Sequence, residues 1–184
     1  MIKKVGVIHG KFQVLHLGHM EYLLAGKSKC DFLYIGITNP DPNLTSTNQN
    51  DLNRSKISSN PLTYYERMEM IRDAMYENKI SRSEFEIVPF PINFPSLIKY
   101  YTPSDALYFI TIYDEWGWNK FETLKKLGLE VEVMWERKMS ERLTSGTEVR
   151  ELIRTDEKWE HLVPKSVAHY LKSNDLINKI KRLK

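Results

Sequence analysis

Residues 9–19 read HGKFQVLHLGH. His16 and His19 stand three apart, which places both imidazoles on one face of a helix. Gly18 keeps the surface between them low, and Lys11 adds a full positive charge at the start of the loop. If a helix begins at residues 16–18, its first backbone N–H groups and the positive end of its dipole face the same spot. Imidazole, amide and ammonium groups converging in this way make a site for phosphate. His9 ends a strand and reads as a structural or supporting residue.

A second segment, LTSGTEVR at 143–150, has the same character. Ser145, Gly146 and Thr147 supply hydroxyls, bare backbone and a helix N-terminus. Arg150, one turn further on, can reach back toward phosphate oxygens with its fork of donors. Alone this is a capped helix. Paired with the first segment, it makes two helix N-termini, two histidines, a lysine and an arginine converging on a polyphosphate. No activated nucleophile is legible, since Cys30 is remote and no Ser-His-acid set is apparent. The expected chemistry is direct transfer, driven by positioning and by stabilisation of charge as pyrophosphate leaves. No carboxylate cluster has ligand spacing, so no metal ligand is assigned, and Mg2+ is expected to be held by substrate phosphates and water.

The elements that must position these groups alternate along the chain. An apolar run at 4–9, with Val5, Val7 and Ile8, predicts a strand ended by Gly10, and Met20, Leu23 and Leu24 give a helix from about Leu17. Further strands are predicted at 32–37, 85–90, 106–111 and 129–135. In the last of these Leu129, Val131, Val133 and Trp135 alternate with more polar residues, as on a sheet edge. Thr63 and Glu66 have capping-box spacing ahead of the stripe Met68, Ile71 and Met75. A helix at 116–127 is closed by Gly128, and short helices start near Thr147, Pro164 and Asp175. Strand and helix in alternation predict an α/β fold with a five-stranded parallel sheet and C-terminal helices, as one domain over 1–184. In a doubly wound sheet the first strand-to-helix turn borders the ligand crevice, and HGKFQVLHLGH occupies that turn. Residues 39–61 are polar and almost free of core-forming residues, which predicts either a lid or an idle insertion.

Composition bounds the partners. The 27 Lys and Arg against 24 Asp and Glu leave a net charge of only +3, with much of the excess in KIKRLK at the C-terminus, so nucleic-acid binding is not implied. KIKRLK reads as a solvated helix end. One cysteine excludes an intrachain disulfide. The N-terminus lacks a signal-peptide pattern and no segment is apolar for long enough to span a membrane. The expected setting is the cytoplasm.

GKFQVLHLGH resembles the Gly-Arg-Phe-Gln-Pro-x-His-x-Gly-His signature of archaeal-type nicotinamide-mononucleotide adenylyltransferases, within the HxGH nucleotidyltransferases. LTSGTEVR resembles their Ile-Ser-Ser-Thr-x-x-Arg motif, NPLTYYER their Asn-Pro-Phe-Thr-x-x-Glu-Arg segment, and EKWEHLVPKSVAHYL their C-terminal helical region. The resemblance implies a Rossmann-like doubly wound fold, ATP with Mg2+, and attack of an acceptor phosphate on the α-phosphorus. It implies that His16 and His19 contact the triphosphate, that Lys11 and Arg150 hold its β and γ groups, and that the backbone of Gly10 and Phe12 lines the loop. It also implies Arg67 on the acceptor phosphate, and a homo-oligomer.

Lys11 stands where the signature has arginine, and Val14 replaces its proline. In FPINFPSLI the family's Asn and Trp near the nicotinamide are not found; Ile92, Phe94, Pro95 and Ile98 are expected to line the acceptor pocket instead. After the fourth strand Thr111-Ile112-Tyr113 replaces Thr-Gly-Asn at the nucleotide-base pocket. The expected reaction is therefore adenylyl transfer to nicotinamide or nicotinate mononucleotide. The same transfer from ATP or CTP to another phosphorylated or phosphonylated small molecule is the alternative. A non-catalytic nucleotide sensor would keep the phosphate contacts, yet His16, His19 and Arg150 are all present. KMSER at 138–142 resembles the Lys-Met-Ser-Lys-Ser loop of class I aminoacyl-tRNA synthetases, but Glu141 stands where the second lysine belongs and the segment reads as surface.

Overall fold

Val7 and Ile8, adjacent in sequence and pointing to opposite faces of a strand, are both fully buried, so the first strand is covered on both sides. The structure, a computed structural model, describes residues 4–44 and 56–183. Its five strands are β1 (Val5–Gly10), β2 (Phe32–Ile37), β3 (Phe85–Pro89), β4 (Leu107–Ile112) and β5 (Glu130–Glu136). All pair in parallel, in the order β3-β2-β1-β4-β5. The order reverses between β1 and β4, which opens a crevice beyond their carboxyl ends.

Among the described residues six α-helices flank the sheet: α1 (Leu17–Lys27), α2 (Tyr64–Glu77), α3 (Glu115–Lys126), α4 (Gly146–Arg154), α5 (Lys165–Ser173) and α6 (Leu176–Arg182). Ile8, Leu33, Ile35 and Phe85 pack with Leu23 of α1, Met70 and Ala74 of α2, and the apolar stripes of α4 to α6. Val7, Tyr108, Ile110 and Ile112 pack on the opposite face with Leu124 of α3 and with Ile98 of the 3-10 turn Pro95–Tyr100. The fold is the α/β, doubly wound, five-stranded parallel sheet that alternation in the sequence predicts.

Local signals explain the boundaries that matter for the site. The Thr63–Glu66 capping box is formed in both directions and starts α2. Gly128, with φ of +77°, ends the turn after α3 as only glycine does without strain. Lys179 is not merely solvated: its ammonium lies 2.7 Å from both carboxylate oxygens of Glu66, tying α6 to the start of α2. β5 lies at an edge of the sheet, as its alternation predicts, but the alternation breaks before its end. A bulge sets Ile110 opposite Val133 but Thr111 opposite Trp135, so Met134 is an extra residue. Val131 and Val133 face one core and Trp135 packs against the other. The bulge turns the indole toward the crevice. The segment 45–55, the middle of the loop expected to be a lid or an idle insertion, lies outside the described residues.

Candidate active site

The β1–α1 turn and the start of α4 come together because both end in small or polar residues that let backbones touch. A Cβ placed on Gly146 would fall 2.5 Å from the carbonyl oxygen of Gln13. That close approach requires glycine, and it brings two helix N-termini to one spot. Gln13 is also fixed from the other side: its amide donates to Leu62 O (2.7 Å) and accepts from Leu62 N (2.9 Å). At Gly10 a Cβ would lie 2.7 Å from the Phe12 ring, which is buried and edges onto His19 at 4.9 Å. The turn is therefore held by packing rather than by its own sequence propensity.

His16 caps α1, its Nδ1 accepting the backbone N–H of His19 at 3.3 Å. That contact uses the Nδ1 lone pair, so the proton of the neutral ring sits on Nε2, a hydrogen-bond donor. The rings of His16 and His19 stack with centroids 3.7 Å apart. Burial, reinforced by Arg142 and Arg150, lowers the His16 pKa from 6.5 to about 3. Burial, then His16 and Arg142, holds His19 well below its ordinary value, against an opposing hydrogen bond with the Val14 backbone. Both imidazoles thus act as neutral donors, and fixed positive charge comes from elsewhere.

Arg150 supplies part of it. It is 6% exposed, its Nη1 donates to the Gln13 carbonyl, and its Nη2 donates to Thr147 Oγ1 at 3.2 Å. Its Nε is buried without a partner. Burial, then Arg154, lowers its pKa to about 10, which leaves it charged at neutral pH. Ser145 caps α4 by accepting from Glu148 N at 3.1 Å. The cavity at this junction has a volume of about 390 Å³ and is lined by Gly10, Lys11, Phe12, His16, Gly18 and His19 from the first segment. Thr111 and residues Ser145, Gly146, Thr147 and Arg150 complete the predicted set.

The acceptor-side predictions fare differently. Arg67, expected on an acceptor phosphate, is 1% exposed. It donates to the carbonyls of Thr63, Lys11, Thr38 and Asn39 at 2.7 to 3.1 Å. Its place is that of a clamp holding the turn after β1 to the end of β2. Ile92, Phe94, Pro95 and Ile98 do not line the cavity, and Ile92 and Ile98 are buried in the core beneath the sheet. An asparagine is nevertheless present: the Asn93 amide donates to Asn39 Oδ1 at 3.0 Å.

Tyr113, placed by resemblance at the nucleotide-base pocket, lines the cavity, while Gln13, Lys120, Trp135 and Arg142 are lining residues that were not read from the sequence. Trp135 Nε1 donates to Tyr113 OH at 3.0 Å, and the Arg142 guanidinium lies 4.4 Å from the Tyr113 ring centroid. Met139 is exposed, as expected for KMSER, but Arg142 at the end of that segment faces the cavity. Among the described residues no group of three or more His, Cys, Asp or Glu could hold a metal ion.

The Cytidylyltransferase-like family model matches residues 7–152, which span β1 through α4 and contain the whole cavity lining. The chain belongs to the cytidylyltransferase-like family. Cytidylyltransferase-like relatives extend over nearly its full length. The chain is 47% identical to a phosphonoformate cytidylyltransferase of Streptomyces viridochromogenes, over 98% of this chain and 97% of that protein. It is 30% identical to a nicotinamide-nucleotide adenylyltransferase of Thermococcus kodakarensis, over 100% of this chain and 89% of that one. Among solved structures, the bifunctional NMN adenylyltransferase/ADP ribose pyrophosphatase of Francisella tularensis shares the fold, with a TM-score of 0.66 at 13% identity. The match covers 99% of this chain and 52% of that longer one. This cytidylyltransferase-like protein is a nucleotidyltransferase.

Neutral imidazoles in the cavity make a pH prediction. The pKa of His16 and of His9 falls from 6.5 to about 3, in both cases chiefly through burial. Their ring resonances should stay at neutral-form positions between pH 8 and pH 5 in a histidine NMR titration. Between 6.5 and 3 the unfolded chain binds protons that the folded chain refuses. Stability held above pH 6.5 should therefore decline as pH falls toward 3. Midpoint titration of either ring near 6.5 would contradict this arrangement.

Proposed function

We propose that the chain transfers the nucleotidyl group of CTP to a small phosphonylated or phosphorylated acid, releasing pyrophosphate. The observation carrying this reading is that Ile98, which stands where the adenylyltransferase pattern has its ring-stacking tryptophan, is an aliphatic side chain packed in the core and only 1% exposed. A cavity of about 390 Å³ is near the lower end for small-molecule sites, and it suits one nucleotide and a compact acid better than two nucleotides. The phosphonoformate cytidylyltransferase at 47% identity supports the same choice. The archaeal relatives near 30% identity support a second reading, adenylyl transfer to nicotinamide mononucleotide.

In the proposed reaction an acceptor oxygen forms a bond to the α-phosphorus while the bond from that phosphorus to the bridging oxygen breaks. The electron pair leaves with pyrophosphate. His16 Nε2–H, Lys11, Arg150 and the N–H groups opening α4 receive the growing charge on the leaving group. Mg2+ would enter with the triphosphate, held by phosphate oxygens and water, since the described residues offer no carboxylate cage. There it would neutralise phosphate charge.

Pyrophosphate release from CTP and from ATP, each with phosphonoformate, methylphosphonate or nicotinamide mononucleotide, tests the reading. Turnover with CTP and phosphonoformate is the expected result. Turnover confined to ATP and the mononucleotide would establish the second reading instead.

A further inference from the structure

His9 is the one histidine of the opening segment that the phosphate site does not use. It lies at the carboxyl end of β1, beside the reversal in strand order, paired with Gly36 of β2. Gly36 has no side chain, and a Cβ there would fall 2.7 Å from Phe90. The Phe90 ring occupies that space and stacks on the imidazole at 4.5 Å with 8° between planes. The ring is thus held at a fixed tilt. His9 is 5% exposed, and neither ring nitrogen has a hydrogen-bond partner among the described residues. Yet the residue lines the cavity, together with Thr111 and with Lys120 of α3.

A neutral imidazole carries one N–H donor and one lone pair. Buried polar groups of this kind are normally paired, and an exception calls for an explanation. An apolar side chain would fill the slot against Phe90 without that cost. Burial, with the charge on Lys120, keeps the ring neutral. A group seated in the cavity would lie against this imidazole, with an ammonium on the neighbouring helix. The complement of such a pair is an anionic oxygen acceptor, and in a carboxylated phosphonate whose phosphonate must face the reacting α-phosphorus that acceptor is the carboxylate.

Resting on the proposed function, we propose that His9 is a specificity-determining residue that receives the carboxylate of a carboxylated phosphonate acceptor, with Lys120 supplying the countercharge. The acceptor's phosphonate is then left facing the His16 and Arg150 end of the same cavity. His9 sets the preference for a carboxylated phosphonate over one that lacks the carboxylate.

Wild type and His9→Leu are to be compared with phosphonoformate and methylphosphonate. The readouts are pyrophosphate release, calorimetric binding in the presence of a non-reacting CTP analogue, and thermal melting. Wild type should bind phosphonoformate at least 30-fold more tightly than methylphosphonate. His9→Leu should lose that preference while its KM for CTP stays within threefold and its Tm is equal or higher. His9→Asn, which keeps a donor, should recover part of the preference. Equal binding of both acids by wild type, or a preference in His9→Leu within threefold of wild type, would overturn the proposal and leave His9 a core residue. The functional reading fails on a different result: wild type that adenylylates nicotinamide mononucleotide and does not turn over phosphonoformate.

Discussion

His16→Ala should lower kcat/KM for the nucleotide about 100- to 1,000-fold, the usual loss when one donor to developing charge is removed. The same change removes the cap of α1, because His16 Nδ1 accepts the His19 backbone N–H. Cap loss costs about 0.5–2 kcal/mol, and a lower Tm is expected alongside the kinetic loss. His16→Asn separates the two effects. Asparagine is a good cap but too short to carry a donor where Nε2 stands, so it should restore Tm while leaving kcat/KM low. The stack at 3.7 Å further implies that His16 and His19 are coupled, and a double variant should lose less than the product of the single losses. Steady-state pyrophosphate release with thermal melting checks each point. A drop in Tm with kcat/KM unchanged would reduce His16 to a structural cap.

The motifs named the reaction class because its chemistry rests on short segments. HGKFQVLHLGH and LTSGTEVR each carry a helix start, and the cavity is lined by both. The sheet was legible too, since apolar runs such as FLYIGI are buried on one face and at least half-buried on the other and admit few other arrangements. What the sequence hid depends on contacts between distant segments. Arg67 has the same appearance in NPLTYYER whether its guanidinium meets a substrate or four carbonyls; only the position of Thr38, Asn39 and Lys11 decides. Trp135 sits in an alternating pattern that predicts the wrong face, because one extra residue at a bulge reverses it. His9 looked structural at a strand end, and its unpaired nitrogens become visible only when its surroundings are placed. Gln13 matched the signature without a role attached to it, although the two halves of the site meet on its carbonyl.

Arg150 should matter mainly for turnover. Its contacts are a carbonyl and a hydroxyl, and among the described residues it forms no salt bridge, so a buried positive charge lacks a contacting carboxylate. A cation in that position is costly unless an anion arrives to pair with it. The leaving pyrophosphate gains charge as the transition state forms, and an interaction strengthened there lowers the barrier rather than tightening substrate binding. Arg150→Ala is expected to reduce kcat about 100- to 1,000-fold with a smaller change in KM for the nucleotide. Arg150→Lys keeps the charge but loses the two-armed geometry that spans Gln13 and a phosphate, and should recover only part. Melting adds an independent readout: the ligand-free Arg150→Ala protein should be as stable as wild type or more so, because a buried unpaired charge is gone. Its stabilisation by added pyrophosphate should shrink, since ligand stabilisation follows affinity for the folded state. An unchanged kcat with only a raised KM, or full stabilisation by pyrophosphate, would remove Arg150 from the leaving-group site and leave the N-terminus of α4, Lys11 and His16 to carry the charge.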